Sequence, residues 1–407
     1  MKFVNKLLSE VAFFQEGPGV RKTQFRSSGV KLLNVGNINN DILDTSTTKL
    51  YISEEEAFGN YKHFLVDEGD LLIASSGIVV TNFHNKIAFA TKKDLPLCLN
   101  TSTIRFKSLN KSEFSINYFR FYLKTNHFKN QLKKLITGAA QLNFGPSHLK
   151  KIIIPIPSLS DQNRITELLS KSETLIEQRK QSISLLDEFL KSTFVDMFGD
   201  PVKNEKGWEN VRFGDYILKI IAGSSYGGEQ KDRLMDDEYG VLKVSAVTWG
   251  VFNPNEFKVV NIKDITSKLI HPQKGDLLFS RANTKELVGA TCIVDKDYPK
   301  LFLPDKIWNL KLNENELNHY FIHFLFQNAS FRHTLTKGAT GTSGSMLNIS
   351  MPKLRNIQFS KPPIELQTKF AEIVAKTEAL KEQYKTSLHE LENLYGSLSQ
   401  QAFKGEM

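Results

Sequence analysis

The chain is written twice. At an offset of 205, residues 157–198 align without a gap on residues 362–403, with Gln162 on Gln367, Glu167 on Glu372, Lys171 on Lys376, Leu175 on Leu380 and Lys180 on Lys385. The match reaches upstream: Gln141-Leu142-Asn143-Phe144 falls on Met346-Leu347-Asn348-Ile349, and Gly69-Asp70-Leu71-Leu72 falls on Gly275-Asp276-Leu277-Leu278 at offset 206. Gly138 and Gly338 each follow a Phe-rich amphipathic stretch. A repeat of this length dictates two similar units, each closing in the same long segment. The expected order is a first domain over 1–155, a long helix within 156–200, a second domain over 201–360 and a C-terminal long helix within 361–407.

The long segments carry their own boundary signals. Ser158 with Asp161 three residues on resembles a capping box, and Gly199 ahead of Pro201 stops the helix. Pro363 and Glu365 suit the first turn of the second helix. About 38 residues rising about 1.5 Å each make a rod of roughly 55 Å, a length typical of a coiled coil. Heptad spacing predicts one core set of Phe370, Thr377, Tyr384, Leu391 and Leu398 and another of Ile373, Leu380, Ser387 and Leu394. The same positions in the first copy are Ile165, Ser172, Arg179, Leu186 and Thr193, with Leu168, Leu175, Ser182 and Phe189. Two such rods in one chain pack most simply as an antiparallel coiled coil.

Strand-like runs lie between the helices: residues 30–38, 86–90, 102–107, 239–247 and 290–295. The expected fold is therefore mixed α/β (α+β), two similar domains separated by two long helices, with a pseudo-twofold internal repeat. With 40% apolar and 24% charged residues the chain reads as folded, and no apolar run reaches the length of a membrane helix. The N-terminus lacks a small-residue cleavage site and is not read as a signal peptide. Two cysteines, Cys98 and Cys292, exclude a disulfide scaffold and fit a reducing cytoplasm.

The formal charge is +9, and it is not spread evenly. Residues 1–150 carry +8 and 201–356 carry +4, against −2 over 151–200 and −1 over 357–407. Affinity for a phosphate backbone therefore belongs to the two domains and not to the rods. In the first domain Arg21, Lys22 and Arg26 lie among Gly17, Gly19 and Gly29, where they reach phosphates or a guanine edge; Gln24, Asn34 and Asn37 are the candidate adenine readers. The counterpart stretch of the second domain offers Tyr226, Lys231 and Arg233. A second pair of candidate loops follows the Gly-Asp-Leu-Leu strands: Ser75 and Ser76 in one half, Ser280, Arg281, Asn283 and Thr284 in the other.

Reactive motifs are missing. There is no phosphate-binding loop, no dinucleotide fingerprint and no HExxH. Gly341 to Ser345 is glycine-rich but holds no lysine, and His319 and His323, though four apart, sit among phenylalanines as in a packed helix. Pro304-Asp305-Lys306 has no acidic partners at nuclease spacing, and Lys361-Pro362-Pro363-Ile364 lacks the amide and aromatic of an aminomethyltransferase motif. No catalytic residue and no metal ligand is assigned.

The whole chain is similar to the specificity subunit of type I restriction-modification systems. The resemblance rests on Leu142, Asn143 and Leu149 with their counterparts Leu347, Asn348 and Leu354, on the Pro-x(4)-Gln opening of each long helix (Pro157 and Gln162; Pro362 and Gln367), and on Phe198-Gly199-Asp200-Pro201 followed by Asn204 and Gly207-Trp208. It implies two target recognition domains that each read one half of a split DNA site. It also implies helices that set the spacing and dock two modification (adenine-N6 methyltransferase) subunits. Two motor-endonuclease (restriction) subunits complete the complex. S-adenosylmethionine, ATP and Mg2+ belong to those partners, so the chain is non-catalytic by itself and cytoplasmic. One departure is the start: the first domain is expected to begin near the equivalent of Phe213, without the tryptophan. Two other classes stay open: a stand-alone DNA methyltransferase or nuclease with duplicated reading domains, and a coiled-coil adaptor.

Overall fold

The computed structural model describes residues 2–78, 80–136, 142–337 and 347–406. Gly138, Gly338 and the Gly341 to Ser345 turn lie outside the described residues. The chain divides into two compact units, residues 1–180 with 387–407 and residues 181–386.

Besides a small hairpin of Ile38–Asn39 with Ile42–Leu43, the first unit contains β1 (Val4–Leu7), β2 (Ala12–Glu16), β3 (Val30–Leu32), β4 (Tyr51–Ile52), β5 (Leu71–Ala74), β6 (Ser76–Ile78), β7 (Ile87–Phe89), β8 (Leu97–Cys98) and β9 (Thr103–Ser108). Helices α1 (Ile116–Lys124) and α2 (Asn126–Leu135), strands β10 (Leu142–Asn143) and β11 (Ile153–Ile156), and the start of α3 (Leu159–Phe198) follow. The central sheet is antiparallel in the order β2-β9-β5-β7, and a smaller sheet runs β8-β3-β4 with β8 and β3 parallel. β5 is buried along its whole length because both its faces pack into core, Leu71 and Ile73 in one cluster and Leu72 in another, so its sequence, Leu-Leu-Ile-Ala, is an unbroken apolar run. Asp70 immediately precedes that strand. Its carboxylate accepts the Asp67 amide at 2.9 Å and takes Lys107 at 3.5 Å, so the buried charge is bonded.

The second unit repeats this plan. It contains β12 (Glu209–Arg212), β13 (Ile217–Ala222), β14 (Glu238–Leu242), β15 (Phe257–Asn261), β16 (Leu277–Ser280), β17 (Ala282–Asn283), β18 (Thr291–Ile293), β19 (Leu301–Phe302) and β20 (Ile307–Leu312). Then come α4 (His319–Gln327), α5 (Ala329–Thr336), β21 (Leu347–Asn348), β22 (Gln358–Lys361) and α6 (Ile364–Lys404). Its central sheet runs β13-β20-β16-β18 and its smaller sheet β15-β14-β19, again with one parallel pair. Asp276 has the role of Asp70: it accepts the Gln273 amide at 3.0 Å and pairs with Lys311.

The start of the first domain differs from expectation. β1 pairs with β11, Val4 opposite Ile156, as β12 pairs with β22, Glu209 opposite Lys361. The two strand pairs sit at the same offset of 205, so the first domain begins with the counterpart of β12 and not near the equivalent of Phe213. In the second unit the segment ahead of β12 holds Trp208, whose indole N–H donates to the Phe198 carbonyl at 2.9 Å.

The long helices pair antiparallel within each unit. In the first, Ile165 and Leu169 share a core with Ala402, the Tyr395 hydroxyl donates to Glu173 at 3.1 Å, and Lys180 meets Glu392 at 3.0 Å. In the second, Lys381 pairs with Asp187, and Phe194 meets Phe370 with ring centroids 5.5 Å apart. Burial corrects half of the expected seam. Ile165, Leu186, Phe370, Tyr384 and Leu391 face inward or are half-buried, but the second set is Leu169, Ile176, Ile183, Leu190 and Met197, one residue later than expected. In α6 it is Val374, Lys381, Leu388, Tyr395 and Ala402. The spacing alternates four then three from Ile165, where three then four was expected. Leu175, Phe189, Leu380 and Leu394 are exposed, and Leu168 and Ile373 lie on the flank.

Lys381 is the charged member of the seam. Burial opposes its charge, but Asp187 and Glu378 outweigh that and hold its pKa above the usual lysine value. Phe194 anchors the second unit: it contacts Phe198, Phe321, Phe324 and Phe370. His323 is also interior, with Thr291 Oγ1 3.0 Å from Nδ1 and Gln327 Nε2 2.7 Å from Nε2. Burial pushes its pKa down to about 4. The unfolded chain then binds the proton first, so this contribution to stability is complete above pH 6.5 and is lost as the pH falls toward about 4. Urea midpoints of the second unit should drop on acidification through that window, and His323→Gln should flatten the drop.

Candidate nucleic-acid interface

Each unit builds a short two-stranded ribbon at the end of its central strand. The chain leaves β5 through Ser75, whose amide donates to the Ser102 carbonyl at 2.8 Å and whose carbonyl accepts the Phe144 amide at 3.0 Å. β6 then pairs antiparallel with β10. In the second unit Arg281 makes the same two bonds, to the Lys306 carbonyl at 3.0 Å and from the Ile349 amide at 2.8 Å, and β17 pairs with β21. The duplicated Leu-Asn motif is the returning strand of this ribbon. In the first unit the Asn143 side-chain oxygen accepts Ser76 Oγ at 2.7 Å and the Gly77 amide at 3.2 Å, which fixes the ribbon's shape.

The ribbon sorts the sequence candidates around it. Ser76 is half-buried on the first ribbon, and Arg281, Asn283 and Thr284 are half-buried on or beside the second. Ser75 and Ser280 are not surface groups: they are 1% and 0% exposed, because each side chain turns inward at its strand end. The Arg281 guanidinium lies 5.6 Å from the Trp308 ring centroid and 4.0 Å from Asp305. Asn283 donates to Thr248 Oγ1 at 3.2 Å, which ties the ribbon to the loop that carries Trp249. Trp249 is 76% exposed and was not singled out from sequence. The residue after it, Gly250, has φ +81°.

The glycine-bearing loop of the first unit also divides. Arg21, Lys22 and Arg26 are exposed. Gly29 must be glycine: φ is +120° and an added Cβ would stand 2.2 Å from the Ile52 carbonyl oxygen. The amide side chains expected to read adenine are occupied internally. Gln24 donates to Glu56 at 2.8 Å and to Tyr61 at 3.0 Å, Asn34 donates to the Leu32 carbonyl and accepts from Asn100, and Asn37 is 3% exposed with its amide on the Asp44 carbonyl. These three shape turns and are removed from the reading set. In the second unit Arg233 is exposed, whereas Lys231 is neutralised by Glu238 at 2.9 Å and Glu229 at 3.2 Å. Tyr226 accepts bonds from the Thr266 and Ser267 amides and meets Ser267 Oγ at 2.7 Å; the Ser267 hydroxyl and these amides bring its pKa down to about 8.

Both units therefore present exposed cations and a short ribbon that carries polar side chains, Ser76 and Asn143 in one and Asn283 in the other, a combination suited to phosphates and base edges. Among the described residues no three His, Cys, Asp or Glu side chains gather as a metal site.

The family model for the type I restriction modification DNA specificity domain matches residues 2–185 and again residues 205–393. The chain belongs to that family. Type I specificity subunits among its relatives include EcoKI of Escherichia coli K12, 27% identical over 307 residues that span 71% of this chain and 65% of that one. MjaIX of Methanocaldococcus jannaschii is 26% identical over 346 residues, 80% of this chain and 76% of that one. The matched length is thus just under two thirds of EcoKI, and 27% of EcoEI. A chain solved in a study of assembly and conformational transition of the type I R-M system has the same fold, with TM-score 0.61, 16% identity and 100% and 98% coverage. The S subunit from M. genitalium gives 0.53, with 14% identity and 99% and 96% coverage. The family's domain is thus found twice along the chain, and among the described residues no helix is long and apolar enough to cross a membrane.

Proposed function

We propose that this chain is the DNA specificity subunit of a type I restriction-modification complex, and that each domain reads one half of a bipartite target. The observation that carries the reading is the duplication: two basic domains of one topology, each rooted in the same antiparallel helix pair. Two half-sites at fixed separation need two readers on a stiff spacer, and a flexible linker would not hold the distance. The base-reading and phosphate-binding set is Arg21, Lys22, Arg26 and Ser76 in the first domain, and Arg233, Arg281, Asn283, Thr284 and Trp249 in the second.

The helices supply the docking faces. Leu175, Phe189, Leu380 and Leu394 form exposed apolar positions at heptad spacing beside the seam, repeated in both helices. Two similar faces suit two identical modification subunits, which bring S-adenosylmethionine and the methyl-transfer chemistry; two motor-endonuclease subunits bring ATP and Mg2+ use. The chain contributes recognition and geometry, and works in the cytoplasm where its DNA lies.

The test is genome-wide mapping of methylated adenines in a host carrying this chain with its modification subunits. One split sequence with a constant gap is the expected result. Methylation by the purified chain alone, or a continuous recognition sequence, would remove the reading.

A further inference from the structure

The Pro-x(4)-Gln opening of each long helix has a structural role that the proposed function leaves unused. Gln162, near the N-terminus of α3, is fully buried. Its Oε1 accepts the Ser115 amide at 2.8 Å, and its Nε2 donates to the Glu113 carbonyl at 2.8 Å and the Pro157 carbonyl at 3.0 Å. Ser115 caps α1, so one side chain joins the first turn of the long helix to the first turn of a domain helix. Gln367 repeats every bond. Its Oε1 accepts the Asn318 amide at 2.9 Å, and its Nε2 donates to the Glu316 carbonyl at 3.2 Å and the Pro362 carbonyl at 2.8 Å. Asn318 caps α4. A lysine reaches the same acid in each copy: Lys6 meets Glu113 at 3.5 Å, and Lys361 pairs with Glu316.

The chemistry of the residue is specific. Glutamate would keep the acceptor but lose both donors, and asparagine is one methylene too short to span the same groups. The two ends it links belong to different parts of the reading machine, the domain and the rod. The bonds are buried, so water does not replace them when they are lost.

We propose that Gln162 and Gln367 are positioning residues that fix the angle at which each recognition domain leaves its helix, and so set how strictly the gap between half-sites is measured. This rests on the proposed bipartite reading. Helix length would set the gap's mean value, and the two glutamines its tolerance. Neither side chain need touch DNA.

The experiment uses the complete modification complex, wild type or with Gln162→Met or Gln367→Met, on duplexes that keep both half-sites and vary the gap by one base pair either way. The wild-type complex establishes the split site by itself; failure to methylate any split duplex counts against the reading and not against the clamp. In each variant the rate on off-length gaps relative to the correct gap should rise by about tenfold, the scale of losing one to two buried hydrogen bonds, with both half-sequences unchanged. Gln162→Asn and Gln367→Asn, which keep the amide but are one methylene too short to make all three bonds, should give intermediate ratios and serve if the methionine variants do not fold. A lower melting temperature with unchanged gap discrimination would reduce the clamp to a structural bond and overturn the proposal, as would a changed half-sequence.

Discussion

Exchange of residues 2–156 for the matching domain of another family member will change one half of the methylated sequence completely and leave the other half and the gap as they were. The expectation follows from how the first unit is closed. Its central sheet, α1 and α2 form one core with the start of α3, and β1 and β11 travel with the exchanged segment, so no strand pair is split between donor and recipient. The second domain keeps its own cation Arg233 and its own ribbon residues Arg281 and Asn283. Mapping of methylated adenines reads the outcome directly. A change in both halves would defeat the assignment of one domain to one half, and a changed gap would mean that the domain, and not the helix pair with its glutamine clamps, holds the distance.

Leu190→Ala will destabilise the second unit by about 2–5 kcal/mol, and Phe189→Ala by under about 1 kcal/mol. The two residues are neighbours in sequence and opposite in environment. Leu190 is 1% exposed in a core with Phe194, Phe370 and Val374, whereas Phe189 is 49% exposed. The three tryptophans, Trp208, Trp249 and Trp308, all belong to the second unit, so fluorescence in urea follows that unit's unfolding. The reverse order of effects would restore the three-then-four seam. On the docking reading, Leu175→Glu with Phe189→Glu should leave the urea midpoint in place and abolish capture of the modification subunit. A complex that still forms would move the docking face elsewhere.

The repeat was legible because an ungapped match of long helical segments needs no packing information. The seam was half legible, and the reason is visible in the residues. Apolar side chains come in doublets at the critical places: Leu168-Leu169, Leu175-Ile176 and Phe189-Leu190. Two apolar stripes therefore run side by side on α3, and heptad counting cannot choose between them; only the groups packed against each stripe do. In α6 the buried position is a lysine beside an apolar neighbour, Leu380-Lys381, so hydrophobicity pointed to the wrong member of the pair. The ion pair with Asp187, far away in sequence, is what admits a charge there.

Exposure and internal bonding divide the candidate cations from the candidate amides. Exposed cations declare themselves in composition, and Arg21, Lys22, Arg26 and Arg233 are where composition placed them, on the surface. Asn and Gln are ambiguous, since the donors and acceptors that suit an adenine edge also suit a backbone turn. Gln24, Asn34 and Asn37 serve the turns of a loop-rich domain. Ser75 and Ser280 failed for another reason: alternation at a strand end decides inside from outside, and a shift of one residue reverses it.

The pairing of β1 with β11, and of β12 with β22, has one more consequence. In each half the first and last strands of the domain lie side by side just ahead of the long helix, so the domain closes on itself like a bead on a closed thread. Residues can be gained or lost inside that thread without pushing on the helix that follows. Such a scaffold is free to acquire new vocabularies while its grammar stays the same.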